Sequence, residues 1–136
     1  MEKRPRVVVS VVAKKDGKFL LIKEKLEDEK EYWIVPGGGV RFGESLEQAA
    51  LRELKEEVGL ELKNLKLINH HQAIFPNFDY HTIIFFFLAE TEGKPKLSKK
   101  EKKILEASFF SPEEIPNLQL VSSAKWLFDN HNLLES

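Results

Sequence analysis

The sequence predicts an α/β domain in which a mixed β-sheet is covered on both sides by helices. Three observations point there: a β-branched run near the amino terminus, one strongly capped helix in the middle of the chain, and a further set of strands closed by an amphipathic helix. A chain of 136 residues is one domain's worth, enough for a single two- or three-layer core. It shows no repeat, no linker and no boundary, so residues 1–136 read as one domain.

Residues 7–13, Val-Val-Val-Ser-Val-Val-Ala, are nearly continuous in apolar β-formers, the pattern of a strand buried on both faces. Asp16-Gly17 marks a tight turn, and residues 19–22 return as the second arm of a hairpin. Residues 23–31 are almost wholly charged and read as a loop or a fraying strand end. A short strand at 32–35 is broken by Pro36 and by Gly37, Gly38 and Gly39. Such a glycine loop is either a flexible turn or backbone that must approach something closely. Ser45 is the expected N-cap and Gln48 completes a capping box, so a helix begins near Leu46 and Gly59 stops it. Residues 62–75 predict an irregular strand or two, with His70 and His71 as surface strand residues rather than ligands. The aromatic turn at 75–80, with Phe75, Phe78 and Tyr80, either shields a core edge or stacks on a nucleobase. A central strand follows at 81–91. Residues 92–103 form a lysine-rich connection, solvated or able to draw in polyphosphate. A strand at 107–110, a brief helix capped by residues 111–114 and interrupted by Pro116, and an amphipathic helix at 122–130 complete the chain.

Charge and composition exclude several classes. With 21 Lys and Arg against 22 Asp and Glu, a formal net charge of −1, there is no global electrostatic case for a nucleic-acid polymer as partner. The longest apolar run, residues 83–89, is a strand's length and far short of the roughly 18 residues a membrane span needs. The amino terminus shows no cleavage-site pattern, so a cytoplasmic protein is expected. The absence of cysteine excludes disulfides and thiolate chemistry.

The chemistry-bearing feature is on the middle helix. Glu53, Glu56 and Glu57 stand at i, i+3 and i+4, which places them within an arc of about 100°. Leu51, Leu54 and Val58 form a separate apolar stripe centred roughly 130° round from Glu53. Like charges at these spacings cost a helix about 0.2 to 0.5 kcal/mol per pair, a sign that a bound divalent cation would reverse. Mg²⁺ takes oxygen ligands, usually one or two carboxylates with waters and substrate phosphates. The bland alternative for a Glu-rich helix taken alone is a solvated acidic face.

The wider pattern decides between these readings. Gly38, Glu44, Arg52, Glu53, Glu56, Glu57 and Gly59, with apolar Leu54 and Leu60, follow the spacing of the Nudix box without a departure, and the chain resembles that family. Seven fixed positions, each about 6% frequent, would match by accident on the order of once in a billion windows. The resemblance implies a Nudix-type α/β/α sandwich with a mixed sheet. Its specific part is residues 33–60; residues 105–115 are similar to the family's late strand and acidic turn, with Phe109 in place of the commoner Trp. It also implies that the carbonyl of Gly37 joins Glu53, Glu56 and Glu57 around Mg²⁺, with Mn²⁺ as a substitute. The implied general base is Glu53 or a late-loop glutamate, Glu101 or Glu106. Arg52, about 100° round the helix from Glu53, reads as a partner that orients a glutamate, and Glu44 lies near the metal or plays a structural part.

The reaction expected is hydrolysis of a phosphoanhydride in a nucleoside diphosphate linked to another group, with a small-molecule nucleotide as partner. Gly38, Phe75, Phe78 and Tyr80 are the candidate substrate contacts. Pro76, about sixteen residues beyond the box as in ADP-ribose pyrophosphatases of the family, favours ADP-ribose or a nucleotide sugar. The alternatives are pyrophosphohydrolysis of oxidised or non-standard nucleoside triphosphates, suggested by the short chain, and a non-catalytic nucleotide sensor. Such sensors commonly lose box carboxylates, which this sequence retains. A homodimer is left open.

Overall fold

The Val-rich first strand carries the sheet. In the structure, a computed structural model that describes residues 3–98 and 103–133, this strand is β1 (Arg6–Lys15). Its Val9, Val11 and Ala13 face one core and Val12 faces a second. Both faces are covered, as period-2 alternation in a continuously apolar run requires. Asp16 and Gly17, both at positive φ (50° and 75°), make the tight turn that suits a two-residue hairpin. The chain returns as β2 (Lys18–Lys25), with Leu20 and Ile22 in the first core and Phe19 and Leu21 in the second.

Beyond the turn β2 diverges from β1. One edge of β2 pairs with β3 (Glu31–Ile34) and the other with β7 (Ile104–Phe110). The edge of β1 left open is taken by β4 (Gly37–Gly39), with Val8 opposite Gly39 and Ser10 opposite Gly37. The glycines predicted as a loop are therefore a short strand. A ladder needs only backbone, and a Cβ on Gly37 would lie 1.9 Å from the Val9 carbonyl oxygen, so the close pairing demands glycine. The charged stretch at 23–31, read as a loop or a fraying strand end, divides between the two, since β2 runs to Lys25 and β3 starts at Glu31, leaving residues 26–30 as the turn.

On its other side β1 pairs in parallel with β6 (Tyr80–Glu90), Arg6 opposite Thr82 and Ser10 opposite Phe86. The edge beyond β6 is β5 (Lys63–Phe75), one antiparallel strand with two register shifts rather than two strands. The order is β3-β2-β1-β6-β5, which places β6 one strand in from the edge. A single 3₁₀ turn, Pro76–Phe78, joins β5 to β6, with Asp79 in the left-handed region at φ 57°.

Helix α1 (Leu46–Val58) has the predicted capping box: Gln48 N donates to Ser45 Oγ at 3.0 Å and Ser45 N donates to Gln48 Oε1 at 2.8 Å. It covers the first core with Ala49, Ala50, Leu54 and Val58. Leu51, expected on the apolar stripe, is instead 44% exposed, while Glu57 is only 7% exposed. Relative to Leu54, Glu57 and Leu51 lie about 60° to either side, so the helix is rolled to press its carboxylate flank, not Leu51, against the protein. Helix α2 (Ser122–Asn130) covers the second core with Ala124, Leu127 and Phe128. Its Trp126 stacks on His71 with ring centroids 4.2 Å apart, so His71 is a docking residue for α2 and its burial lowers its pKa. Residues 111–114 form a turn ahead of a single 3₁₀ turn, Ile115–Asn117, which contains Pro116. Among the described residues no helix is long and apolar enough to cross a membrane.

Candidate active site

A cleft of about 650 Å³ opens where β4 and the carboxylate flank of α1 meet the second face of the sheet. Glu53 and Glu57 lie on one wall with Gly37, Gly38 and Gly39, and Phe75, Phe78 and Tyr80 lie on the opposite rim. Two of the three predicted carboxylates, Glu53 and Glu57, thus share one space with the predicted aromatics. Glu53 is held close to the strand: a Cβ on Gly38 would stand 2.5 Å from its carboxylate. Any side chain at Gly38 would push Glu53 out of place.

The three carboxylates share a helix face but not an environment. The Glu53 side chain is 14% exposed, whereas that of Glu56 is 48% exposed, 3.7 Å from Arg41, and does not line the cleft. Among the described residues no three His, Asp or Glu groups are gathered so as to hold a metal ion as they stand. Glu53 and Glu56 are instead drawn to Arg52, at 2.7 and 3.4 Å. The donor set nevertheless fits a hard divalent cation, since Glu53, Glu57 and the Gly37 backbone offer only oxygen on one cleft wall.

Arg52 is the organiser of this wall. Its Nε and Nη2 donate to the two oxygens of Glu44 at 2.6 and 2.9 Å, and Nη2 also donates to the Gly39 carbonyl at 3.0 Å. With Nη1 on Glu53 and Glu56, all five guanidinium donors are used. Arg52 therefore orients glutamates and has no donor left for substrate. Glu44 also accepts from Arg41 N at 3.0 Å. These bonds, that from Arg52 first and that from Arg41 second, lower the Glu44 pKa to about 2, and the same pairing with Glu44 raises that of Arg52.

Glu106 is not brought to the cleft. It stands opposite Lys23 in the β2–β7 ladder, 3.4 Å from its ammonium, and accepts a bond from Ser108 Oγ. Glu101, the other late-loop candidate, lies outside the described residues. The cleft also holds residues that sequence reasoning missed: Arg6, Ser10 and Thr82 on the sheet face that forms its floor, Glu24 on β2, Lys103 just ahead of β7, and Ser122 and Ser123 at the start of α2. Ser10, alone polar in a valine run, was the signal available. It lies on the face that carries Arg6 and Val8, and Thr82 and Ile84 extend that face across the parallel pair.

Comparison with known proteins agrees with the geometry. A family model of the NUDIX domain matches residues 3–130. The chain belongs to the Nudix family. This Nudix chain is 35% identical over 114 residues to an ADP-ribose pyrophosphatase of Methanocaldococcus jannaschii, a match covering 84% of this chain and 66% of that protein. It thus spans just under two thirds of the archaeal relative's length. It is 32% identical over 101 residues to an 8-oxo-dGTP diphosphatase of Proteus vulgaris, covering 74% of this chain and 88% of that one. In structure it is similar to a MutT NUDIX hydrolase from Burkholderia pseudomallei, with a TM-score of 0.82, 28% identity and 98% of each chain covered.

Proposed function

We propose that the cleft hydrolyses a phosphoanhydride bond in a nucleoside diphosphate derivative, with ADP-ribose or a nucleotide sugar as the preferred class. The observation that carries this reading is the shared cleft, in which Glu53 and Glu57 face an exposed aromatic rim of Phe75, Phe78 and Tyr80. Glu53, Glu57 and the Gly37 carbonyl, with Glu56 from the same face of α1, would hold a divalent cation, Mg²⁺ in the first instance. When bound, such an ion neutralises phosphate oxygens and acidifies a water. Glu53, aimed by Arg52, takes the proton of the attacking water, and Gly38, the candidate substrate contact, serves the site by leaving room for the Glu53 carboxylate. The rim stacks the base.

Preference for ADP-ribose is supported by the name of the archaeal relative and by Pro76 at the foot of the rim. The Proteus vulgaris diphosphatase, of which the match covers 88%, supports a nucleoside triphosphate as the second reading. A panel of nucleotides assayed with Mg²⁺ and with Mn²⁺ ranks the two and tests for hydrolysis at all. In water labelled with heavy oxygen the label is expected on a phosphoryl product, because the cation activates attack at phosphorus. Label on a ribose carbon, or no turnover of any nucleotide, would overturn the reading.

A further inference from the structure

Arg52 spends its donors on Glu44, Glu53, Glu56 and Gly39, so positive charge offered to a phosphate on the glycine wall has to come from another residue. Arg6 stands in that position. Its Nη2 and Nε lie 3.2 and 3.5 Å from where a Cβ on Gly39 would be, and it lines the cleft that contains Glu53 and Glu57. On the preceding glycine, Gly38, the corresponding point is 2.5 Å from the Glu53 carboxylate. Successive residues of β4 thus meet a carboxylate on one face of the strand and a guanidinium on the other, and both groups line the cleft. Among the described residues no carboxylate pairs with Arg6, so a phosphate need displace nothing to reach it.

Strand register sets where along the cleft Arg6 acts. Arg6 is opposite Thr82 on β6, Thr82 is opposite Ala73 on β5, and Phe75 is opposite Tyr80 in the next same-face row toward the rim. Arg6 therefore lies between the glycine wall and the aromatic rim. Beside it the Thr82 residue is 2% exposed and lines the cleft.

Building on the nucleotide-hydrolysing reading above, we propose that Arg6 is a positioning residue that grips the phosphate nearest the nucleoside. The planar fork of a guanidinium suits two phosphate oxygens at once. A base stacked on Phe75, Phe78 or Tyr80 with its reacting bond at Glu53 has that phosphate between the two, over Arg6. The nucleoside monophosphate formed by cleavage keeps the gripped phosphate, whereas the leaving half does not contain it.

The test compares wild type, Arg6→Gln and Arg6→Lys for inhibition by AMP and by pyrophosphate, and for AMP binding by calorimetry with Mg²⁺ present. Loss of a charge-assisted phosphate contact is expected to weaken AMP about ten- to hundredfold in Arg6→Gln. Arg6→Lys should recover part of this, pyrophosphate inhibition should move less than about twofold, and KM should rise more than kcat falls. Unchanged melting temperatures for both variants separate this from a folding defect. Equal weakening of AMP and pyrophosphate, weakening of pyrophosphate alone, or AMP affinity unchanged by both substitutions would overturn the assignment. If the wild type hydrolyses no nucleotide, the underlying reading fails by that result, and the calorimetric comparison still decides on Arg6: AMP bound equally by wild type and Arg6→Gln, or by neither, overturns it.

Discussion

The two walls of the cleft are built in opposite ways. The α1–β4 wall is crowded and internally paired: Arg52, Glu44 and Glu53 have side chains only 14 to 16% exposed and are tied by bonds of 2.6 to 2.9 Å. The rim is loose, with Phe75, Phe78 and Tyr80 exposed at 43, 78 and 44% and a tilted Phe75–Tyr80 contact at 5.8 Å. A fixed wall suits groups that must meet a reacting bond within tenths of an ångström, and a loose rim suits a base that needs only a flat surface. Substitutions on the two sides should therefore fail differently.

The largest effect belongs on the fixed wall. Glu53→Gln should lower kcat about 10²- to 10⁴-fold, the range of a lost general base, with melting temperature little changed. Glu56→Gln and Glu57→Gln should each remove most activity, and excess chelator should abolish it in the wild type. Turnover that survives chelator or both of the latter substitutions would break the assignment of this wall to a cation.

Next comes Arg52→Ala, which should cost about 2 to 3 kcal/mol of stability in denaturant unfolding, because it strips charged hydrogen bonds from two largely buried carboxylates. The same network has a pH signature. Glu44 has its pKa lowered from an ordinary 4.5 to about 2 in the folded state, so its contribution is fully present above about pH 4.5 and is lost as pH falls toward 2. Glu44→Gln should flatten the acid limb of stability between those values; an unchanged limb would mean that Glu44 is not a principal acid sensor of this wall.

The rim should respond most mildly. Phe78→Ala and Tyr80→Ala should each raise KM roughly two- to twelvefold, as expected for a stacking contact of about 0.5 to 1.5 kcal/mol, and should leave kcat nearly intact. Measuring both on ADP-ribose and on a purine triphosphate also ranks the two substrate classes. A rim that changes no KM for any accepted substrate is only core cover, and the contrast between the walls collapses.

The same contrast explains what could be read from the chain. Helix α1 was legible because its caps and its motif are local: Ser45, Gln48, Glu53, Glu57 and Gly59 lie within a single helix and its flanks. The roll that buries Glu57 and exposes Leu51 was not, because the apolar stripe alone does not say which flank meets the sheet. Strand β4 was hidden for a related reason, since three glycines have no strand propensity of their own and become a strand only against Val8 and Ser10. The cleft floor, Arg6 beside Thr82, depends on a parallel register between the two ends of the chain, a long-range fact that no window of residues contains. Glu106 shows the same limit, since its opposite number in the ladder, Lys23, engages its charge away from the cleft.

The bond from Arg52 to the Gly39 carbonyl also bears on how the protein behaves in a crowded solution. Among the described residues β4 pairs only with β1, so its outer side is a sheet edge, and a bare edge is a template on which another chain can add a strand. The guanidinium occupies an acceptor that an incoming strand would use, and helix α1 stands over the rest. The arginine that aims Glu53 is thus also a guard against edge-to-edge self-association, and its loss should be read in light scattering as well as in turnover.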